Sequence, residues 1–266
     1  MTEDRTGICR IGCAGWTIPR DVTARFPDEG SHLERYAKVF GGVEINSSFY
    51  RPHRQQTYAR WAGSVPDDFR FSVKLPRTIS HDAGLRDIDA PLAQFASEVS
   101  ALGDKLGCLL LQLPPKFEFD AAVAAGFLAR AAGAFSCMLA CEARHPSWFS
   151  PEATALLTAR SVTRVIADPP KGQPGPHQPS TAGIYVRLHG SPRVYYSSYS
   201  DEYLRDLGKD MALHALAGRD VWVIFDNTAS GASVPNALTL REAAGATGNL
   251  WRKKAGAGLA APDYFT

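Results

Sequence analysis

Residues 184–189 read Ile-Tyr-Val-Arg-Leu-His, a run in which apolar and polar side chains alternate. Residues two apart in a β-strand point to the same face, so Arg187 and His189 would share one face and Val186 and Leu188 the other. A buried strand with one apolar face is expected where helices cover one side of a sheet. The segment therefore predicts a strand of a parallel α/β protein.

Seven further β-rich segments flank this one, and stretches of helical pattern separate most of them. The eight predicted strands are residues 9–14, 43–46, 69–74, 108–113, 137–142, 163–168, 184–189 and 221–226. A chain of 266 residues is close to the roughly 250 residues at which one α/β barrel closes. We therefore predict an α/β fold, a single TIM-like (β/α)8 barrel.

Helix start signals fall between the strands. Ser31 and Glu34 form a capping-box pattern, and Ser150 and Ser200 each precede a helical pattern as N-cap residues. Residues 169–181, after the sixth strand, are rich in Pro and Gly and predict an irregular connection in place of a helix. We expect one domain over residues 1–266, with a motif-bearing core at about 8–243 and a flexible tail at 245–266.

Composition and charge narrow the class of protein. The chain has 45% hydrophobic and 21% charged residues, which is an ordinary globular composition. A formal net charge of +2 gives no basic field of the kind that marks an obligate nucleic-acid binder. Five cysteines lie in apolar segments without a Cys-x-x-Cys pair, so we expect buried thiols. The charged N-terminus and the lack of a long apolar segment predict a cytoplasmic protein with no membrane partner.

Polar side chains on one face of the strands concentrate toward the carboxyl ends, where barrel enzymes carry their active sites. They alternate with apolar residues and are Glu44, Asn46, Ser72, Lys74, Gln112, Glu142, Asp168, Arg187 and His189. The pattern predicts a polar pocket at one mouth of the barrel. The alternative is that these charges pair with one another in a structural network.

Ordered motifs run through these strand ends and the segments that follow them. They are Gly12-x-x-Gly15-Trp16, Val43-Glu44-Ile45-Asn46-Ser47-Ser48-Phe49-Tyr50-Arg51-Pro52, Phe71-Ser72-Val73-Lys74-Leu75-Pro76-Arg77 with Ile79-Ser80-His81, Gln112-Leu113-Pro114-Pro115, Glu142-x-Arg144-His145-x-Ser147-Trp148-Phe149, Tyr185-Val186-Arg187-Leu188-His189-Gly190 and Phe225-Asp226-Asn227-Thr228. From about Ile11 to about Leu240 the chain resembles the YecE-like family, domain of unknown function 72. The resemblance implies a TIM-barrel-like fold and brings no established reaction, substrate or cofactor.

Acid, base and amine side chains of the polar face are the candidate catalytic groups. Carboxylates beside Lys and Arg stay ionised, which suits a base, whereas histidine titrates nearest neutral pH and makes His189 or His81 the better acid. The predicted catalytic residues are Glu44, Lys74, Glu142, Asp168 and His189.

Cations near the mouth predict an anionic ligand, because a guanidinium grips a carboxylate or phosphate through paired hydrogen bonds. The loop after the seventh strand lies where many barrels bind phosphate, and it adds an arginine and two tyrosines. The predicted substrate-binding residues are Trp16, Asn46, Tyr50, Arg51, Arg77, His81, Gln112, Arg144, His145, Trp148, Arg187, Arg193, Tyr195, Tyr196 and Asn227. For His145 a helix cap, and for the two tryptophans a lid over the core, are open alternatives.

These residues favour a hydrolase or lyase that acts on a phosphorylated or otherwise anionic small molecule, and they require no cofactor. One alternative is a divalent metal site, by analogy of fold with apurinic-endonuclease and sugar-isomerase barrels, although neighbouring cations would repel the ion. Its ligands would be Glu44, Glu142, Asp168, His189 and Asp226. The other is a non-catalytic nucleic-acid or nucleotide binder that stacks bases on Trp16, Trp148, Tyr50, Tyr195 and Tyr196.

Overall fold

The computed structural model describes residues 6–255, with the side chains to residue 246. The strands of this part are β1 (Cys9–Cys13), β2 (Gly42–Ile45), β3 (Arg70–Lys74), β4 (Leu106–Gln112), β5 (Met138–Glu142), β6 (Val162–Arg164), β7 (Ile166–Asp168), β8 (Ile184–Leu188) and β9 (Val221–Phe225). The α-helices are α1 (His32–Ala37), α2 (Gln55–Gly63), α3 (Asp89–Val99), α4 (Ala121–Ala134), α5 (Pro151–Ala159), α6 (Asp201–Leu216) and α7 (Ser233–Ala255).

The strands form two parallel sheets, with the orders β1-β9-β8-β7 and β2-β3-β4-β5-β6. The predicted parallel α/β class is confirmed, and seven of the eight predicted strands are found within two residues of their expected ends. The described strands form two sheets rather than one continuous hydrogen-bonded ring.

The sixth predicted strand, residues 163–168, is broken at Val165 into β6 and β7. The first half pairs with β5 and the second with β8, so the two sheets meet within one extended segment. On the free side of β6 the Ser180 hydroxyl accepts from the amide of Arg164 at 2.8 Å and donates to the carbonyl of Val162 at 2.6 Å. A side chain from the expected irregular connection thus replaces the strand ladder. That connection is confirmed, because residues 169–183 contain no helix or strand.

The other junction between the sheets lies between β1 and β2, where Tyr36 takes the place of a ladder. Its hydroxyl accepts from the amide of Cys13 at 2.8 Å and donates to the carbonyl of Gly42 at 3.3 Å. The strands approach so closely that a Cβ at Gly12 would lie 2.1 Å from the Gly42 oxygen. Glycine is therefore required at Gly12 for this approach.

The two faces of the strands bury different residues, as the alternation in residues 184–189 predicts. Val186 and Leu188 belong to the larger hydrophobic cluster, which includes side chains of the surrounding helices. Tyr185 belongs to a smaller cluster made by the opposite face of the strands, together with Leu110 and Trp222. The polar residues of the strand ends lie above this smaller cluster, on the same face.

The three helix caps expected from the sequence are present. Ser31 accepts from the amide of Glu34 at 3.3 Å while Glu34 accepts from the amide of Ser31 at 2.6 Å, which completes the capping box. Ser150 begins α5 and Ser200 begins α6, each with its hydroxyl accepting from an amide in the first turn. These caps satisfy amide groups that the helices leave without an internal partner.

The flexible tail predicted from residue 245 begins too early, because α7 continues to Ala255. Alanines at 243, 244 and 246 favour helix, and α6 packs closely on α7 at Gly208, where a Cβ would lie 2.9 Å from that of Ala243. The rest of the predicted tail, residues 256–266, lies outside the described residues. In the part of the chain that the structure describes, no helix has the length and apolar character needed to span a membrane.

Candidate functional site

A cleft of about 450 Å³ opens at the carboxyl ends of the strands. Its walls come from the segments that follow β2, β3, β8 and β9, with one residue from the end of β4. The lining residues are Asn46, Phe49, Tyr50, Lys74, Arg77, His81, Gln112, Tyr195, Tyr196, Asp226, Thr228 and Ala229. The sequence predicted a pocket at this edge, and eight of these residues were named as its members.

Lys74 ends β3 and points into the cleft. Its backbone is fixed, because the Ser48 hydroxyl donates to its carbonyl at 2.6 Å and the following amide donates to the carbonyl of Leu110 at 2.9 Å. Its ammonium group lies 4.0 Å from the centre of the Phe49 ring. Among the described residues no carboxylate forms an ion pair with it. Burial, and next the charge of Arg187, lower the pKa of Lys74 from 10.5 to about 8.

A second polar group of the wall, His81, stands on the turn Thr78–Asp82. The Nδ1 atom of His81 lies 2.9 Å from the hydroxyl of Ser80, so Nε2 is the ring nitrogen left for a ligand. Burial, followed by the charges of Lys74 and Arg77, lowers the pKa of His81. Arg77 is half-exposed and pairs with Asp82 at 3.1 Å. This wall therefore has a positive potential.

The floor of the cleft is built around Arg187, which is fully buried. Its Nε and Nη2 atoms donate to the two oxygens of Glu44 at 3.0 and 2.8 Å. Its Nη1 donates to Glu142, and Nη2 also donates to Asp226 at 3.0 Å. One guanidinium thus binds carboxylates from three other strand ends. These residues therefore form a network of paired charges, which was the alternative interpretation of the polar strand ends.

In the described residues, Glu44 has one neutral hydrogen-bond partner besides Arg187, the hydroxyl of Tyr185. The hydroxyl of Tyr185 lies 2.9 Å from Glu44 Oε2 and 2.7 Å from the hydroxyl of Ser72. Glu44 is fully buried and does not line the cleft. The geometry makes it a partner of Arg187 and gives it no contact with a cleft ligand.

Glu142 is held by several donors on its other oxygen. Arg144 donates to Oε1 at 2.8 and 2.6 Å, and Gln112 donates to the same atom at 3.0 Å. Burial opposes ionisation of Glu142, but Arg187, His189 and Arg144 hold its pKa well below the ordinary value. Glu142 is therefore an anion that does not line the cleft, whereas its hydrogen-bond donor Gln112 does.

His189 lies between two carboxylates. Its Nδ1 is 3.0 Å from Asp226 Oδ2, and its Nε2 is 3.3 Å from Glu142 Oε1. Burial lowers the pKa of His189, but Glu142 and Asp226 outweigh it and the net shift is upward. The pKa of Asp226 is lowered, because Arg187 and His189 overcome the effect of burial. Asp226 reaches the cleft, so it connects the open space with the buried imidazole.

Three tyrosines form the rim of the cleft. Tyr50, Tyr195 and Tyr196 are 69%, 40% and 46% exposed. Tyr195 adopts φ of 70°, the left-handed region that is unfavourable for a bulky side chain. The backbone around it is held, because its amide donates to the carbonyl of His189 and its own carbonyl accepts at 3.1 Å from a later loop. The guanidinium of Arg193 lies 4.0 Å from the Tyr196 ring centre, outside the cleft lining.

Asp168 was predicted to be catalytic, and the structure places it away from the cleft. Its carboxylate accepts hydrogen bonds from Tyr199 at 3.0 Å and from Tyr203 at 3.4 Å. Val165 and Ala167 pack on the inner face, so Asp168 points to the opposite face. The prediction was wrong because the carboxylate ends its strand on the outer side.

The two tryptophans predicted to contact substrate do not line the cleft. Trp148 is 1% exposed and donates from its indole nitrogen to the carbonyl of Phe117 at 3.0 Å, so it is part of the core. Trp16 packs edge-to-face against Trp61, with ring centres 5.1 Å apart, in a separate hollow. Each tryptophan follows a strand end in the sequence, but its ring packs outside the cleft.

Three other predicted binding residues have structural roles or positions outside the cleft. His145 caps a short helical turn, with Nδ1 2.8 Å from the hydroxyl of Ser147, as its alternative interpretation held. Asn227 is fully buried and donates to the carbonyl of Ser197 at 3.0 Å. Arg51 is exposed and does not line the cleft.

Asp226, which was predicted only as a metal ligand, lines the cleft, and so do Phe49, Thr228 and Ala229, which were not predicted as site residues. Strand alternation could have predicted that Asp226 faces the cleft. Trp222 and Ile224 lie on the inner face of β9, and residue 226 continues the same alternation. Phe49 could not be found by strand parity, since it follows β2 in a short helical turn.

Within the described part of the chain, the cleft and the residues around Arg187 do not form a metal site. In residues 6–246, no group of three or more His, Cys, Asp or Glu side chains is arranged to hold a metal ion. Glu44, Glu142 and Asp226 direct oxygens to the guanidinium of Arg187, and Asp168 faces away. Three of the four carboxylates that the metal hypothesis needed are therefore bound to the guanidinium of Arg187, and the fourth, Asp168, is bound to tyrosines.

Comparison with known proteins identifies relatives along nearly the whole chain. The family model of a protein of unknown function, DUF72, matches residues 10–258. The UPF0759 protein YecE of Escherichia coli strain K12 is 35% identical over 164 residues, which cover 59% of this chain and 58% of that protein. The UPF0759 protein YunF of Bacillus subtilis strain 168 is 24% identical over 264 residues, which cover 87% of this chain and 93% of that protein. The chain thus spans a little over half the length of YecE in this match.

Solved structures of the same family share the fold. A DUF72 family protein from Enterococcus faecalis superposes with a TM-score of 0.75 at 20% identity, covering 90% of this chain and 96% of that one. One from Thermotoga maritima superposes with a TM-score of 0.72 at 24% identity, covering 88% and 98%. The resemblance read from the motifs is confirmed, and the chain belongs to the DUF72 family.

Proposed function

We propose that this DUF72 protein is an enzyme of the hydrolase or lyase type that acts on a small anionic or phosphorylated molecule bound in the cleft. The observation that carries the proposal is the ammonium group of Lys74, which is 4% exposed, faces the cleft and has no ion pair in the described residues. A buried cation that is not directly paired with a carboxylate is costly. A ligand that brings a negative charge would remove that cost.

The surroundings of Lys74 suit an anion as well. His81 and Arg77 stand on the same wall, and the charges of Lys74 and Arg77 depress the pKa of His81. The Oδ1 atom of Asn46 is buried without a hydrogen-bond partner in the described residues, although Asn46 lines the cleft. A ligand with an anionic group and a hydroxyl donor would satisfy both features.

Asp226 and His189 are the acid and base groups of the proposed enzyme. The hydrogen bonds that Asp226 accepts from Arg187 and His189 both reach Oδ2, which leaves Oδ1 for a substrate. An ionised carboxylate next to the substrate suits a general base. His189, with its raised pKa, is the proton donor behind it.

We also infer that the two sheets are two arcs of one (β/α)8 barrel. β6 and β7 continue each other through Val165, and Tyr36 links β1 to β2, so the strands follow a cyclic order. A cleft at the carboxyl ends of such strands is the position of the active site in TIM-barrel enzymes. We infer a cytoplasmic location, which the five free thiols support.

A binding titration tests the proposal. Inorganic phosphate and small phosphorylated compounds are titrated by calorimetry into the wild type, Lys74→Met and the matched control Lys209→Met. Lys209 is an exposed lysine that pairs with Asp206 on α6. Because a charge-assisted hydrogen bond contributes about 1.5–3 kcal/mol, Lys74→Met should weaken binding at least about tenfold, with the control unchanged. Equal affinity of Lys74→Met and the wild type would overturn the proposal.

Nucleotide or nucleic-acid binding is the second candidate, and the exposed rim tyrosines favour it. Tyr50, Tyr195 and Tyr196 offer ring faces beside a cationic wall, which is the arrangement that stacks bases. Retention of single-stranded or abasic DNA at increasing salt separates the candidates, because phosphate-backbone contacts weaken steeply with salt. Binding that depends steeply on salt and is weakened in Tyr195→Ala would favour the binder, and absence of binding would favour the enzyme of small molecules.

A further inference from the structure

We propose that the amine of Lys74 is a nucleophile that forms an imine with its substrate, so that the substrate is an aldehyde or ketone carrying a carboxylate or phosphate. This inference rests on the proposed function for the anionic ligand. It adds the functional group that reacts and the residue that reacts with it.

The position of the amine is that of a reactive group rather than an ion-pair partner. Its stem is buried at the end of a strand, the Phe49 ring covers one side at 4.0 Å, and the amine faces open space. Each of the three nearby carboxylates forms an ion pair with Arg187 instead. A lysine paired with a carboxylate would keep its proton and its nitrogen lone pair would be blocked, whereas Lys74 is free of such a partner in the described chain.

Burial makes the neutral amine accessible near neutral pH. With a pKa of about 8, about a quarter of the Lys74 side chains are neutral at pH 7.5, compared with about 0.1% for a solvated lysine of pKa about 10.4. The neutral amine is the nucleophile in imine formation, and desolvation beside another cation is a known way to activate a lysine. Arg187 is that second cation, because its charge also lowers the pKa of Lys74.

The reaction balances without an oxidant, a reductant or a metal. The nitrogen lone pair adds to the carbonyl carbon, the carbon–oxygen π bond breaks, and the oxygen takes a proton to give a carbinolamine. Loss of that oxygen as water then gives the imine, so amine and carbonyl become imine and water. Asp226 lines the same cleft and can accept the proton released by nitrogen, and His189 can return one to the departing oxygen through Asp226.

The anionic group of the substrate has a separate place in the cleft. Once Lys74 is bonded to the carbonyl carbon, His81 and Arg77 remain on the same wall to bind a carboxylate or phosphate. Asn46, with its unpartnered oxygen, can accept from a substrate hydroxyl. A cleft of about 450 Å³ lies within the range of pockets for small molecules.

Reductive trapping tests this inference. The full-length protein is incubated with pyruvate or dihydroxyacetone phosphate and with sodium cyanoborohydride, and the adduct is located by peptide mass spectrometry. We expect one adduct per chain on Lys74, its absence in Lys74→Arg, and its retention in Lys209→Met. Hydroxyacetone, a ketone without an anionic group, should label Lys74 at least about tenfold more slowly. Labelling of Lys74 no faster than that of exposed lysines such as Lys38 and Lys209 would overturn the proposal.

The pH dependence separates the imine from simple anion binding. Adduct formation on Lys74 should rise with pH and level off above about 8, because the neutral amine reacts. Phosphate binding should fall over the same range, because it needs the ammonium form. Phosphate binding that depends on Lys74 without any trapped adduct would refute the imine and leave the anion site intact, whereas failure of both would refute the proposed function as well.

Discussion

Replacement of Arg187 by Met tests whether the floor of the cleft is held by one buried cation. The substitution keeps much of the side-chain length and removes the guanidinium that binds Glu44, Glu142 and Asp226. Glu142 would keep Arg144, and Asp226 would keep His189. Glu44 would be left with one neutral hydrogen-bond partner in the described residues, the hydroxyl of Tyr185.

The magnitude follows from the cost of that one uncompensated carboxylate. Protonating a glutamate of ordinary pKa, about 4.3, costs about 4 kcal/mol at pH 7.5 and about 1 kcal/mol at pH 5. Breaking a buried ion pair by removing one partner costs a similar 3–5 kcal/mol. We therefore expect Arg187→Met to lower the free energy of unfolding by about 4 kcal/mol at pH 7.5.

The loss should shrink on acidification. In the wild type the depressed pKa of Glu142 gives stability that is fully present above the unfolded-state pKa, so this contribution is the same at pH 7.5 and pH 5. The variant carries the cost of protonating the carboxyl that lost its cation, and that cost falls as the pH approaches the unfolded-state pKa of about 4.3. The difference between variant and wild type should therefore fall to about 1–2 kcal/mol at pH 5.

Urea denaturation followed by circular dichroism measures this difference at both pH values. Arg205→Met is the matched control, because Arg205 pairs with Asp201 on the surface, with 58% and 66% of the side chains exposed. Exposed pairs contribute at most about 1 kcal/mol. A variant within 1 kcal/mol of the wild type at both pH values, or a loss that does not change with pH, would refute the reasoning.

Three further predictions concern the strand junction and the buried histidine. Tyr36→Phe leaves the amide of Cys13 and the carbonyl of Gly42 without a partner, so urea denaturation should show a loss of about 1–3 kcal/mol; no loss would exclude Tyr36 as the link between β1 and β2. Gly12→Ala places a Cβ 2.1 Å from the Gly42 oxygen and should lower the free energy of unfolding by more than Tyr36→Phe does. A smaller loss for Gly12→Ala than for Tyr36→Phe in the same assay would contradict this. His189 has a raised pKa, so its stabilising contribution is complete below the unfolded-state value of about 6.5 and is lost as pH rises through the folded value. The stability difference between the wild type and His189→Gln should therefore narrow with rising pH, and a constant difference from pH 5 to 9 would contradict this.

Strand positions could be predicted from the sequence because each strand has an apolar face of period two. Val186 and Leu188, for example, are buried on the helix side as the alternation indicates. The break at Val165 could not be predicted in this way. It depends on Ser180, a residue of the following connection, whose hydroxyl bonds with Val162 and Arg164 in place of a neighbouring strand.

The sequence predicts which face of the strands carries the site residues, but it does not predict how deeply each side chain is buried. Lys74, Gln112 and Arg187 all lie on the inner face, but Lys74 and Gln112 line the cleft whereas Arg187 is sealed below it. Which cation stays unpaired depends on where the carboxylates of other strands point. Side chains in loops were harder still, since Trp148 follows a strand end and turns into the core.

The ionisation of Lys74 tests the central claim most directly. Carbon-13 NMR of the lysine ε-carbons, with the signal assigned by its loss in Lys74→Arg, gives the pKa of this amine in the free protein and with saturating phosphate. The structure predicts a pKa of about 8 in the free protein and a higher one with phosphate, because a bound anion favours the ammonium form. A pKa near the ordinary 10.5 that phosphate does not change would contradict an unpaired cation poised for an anionic substrate.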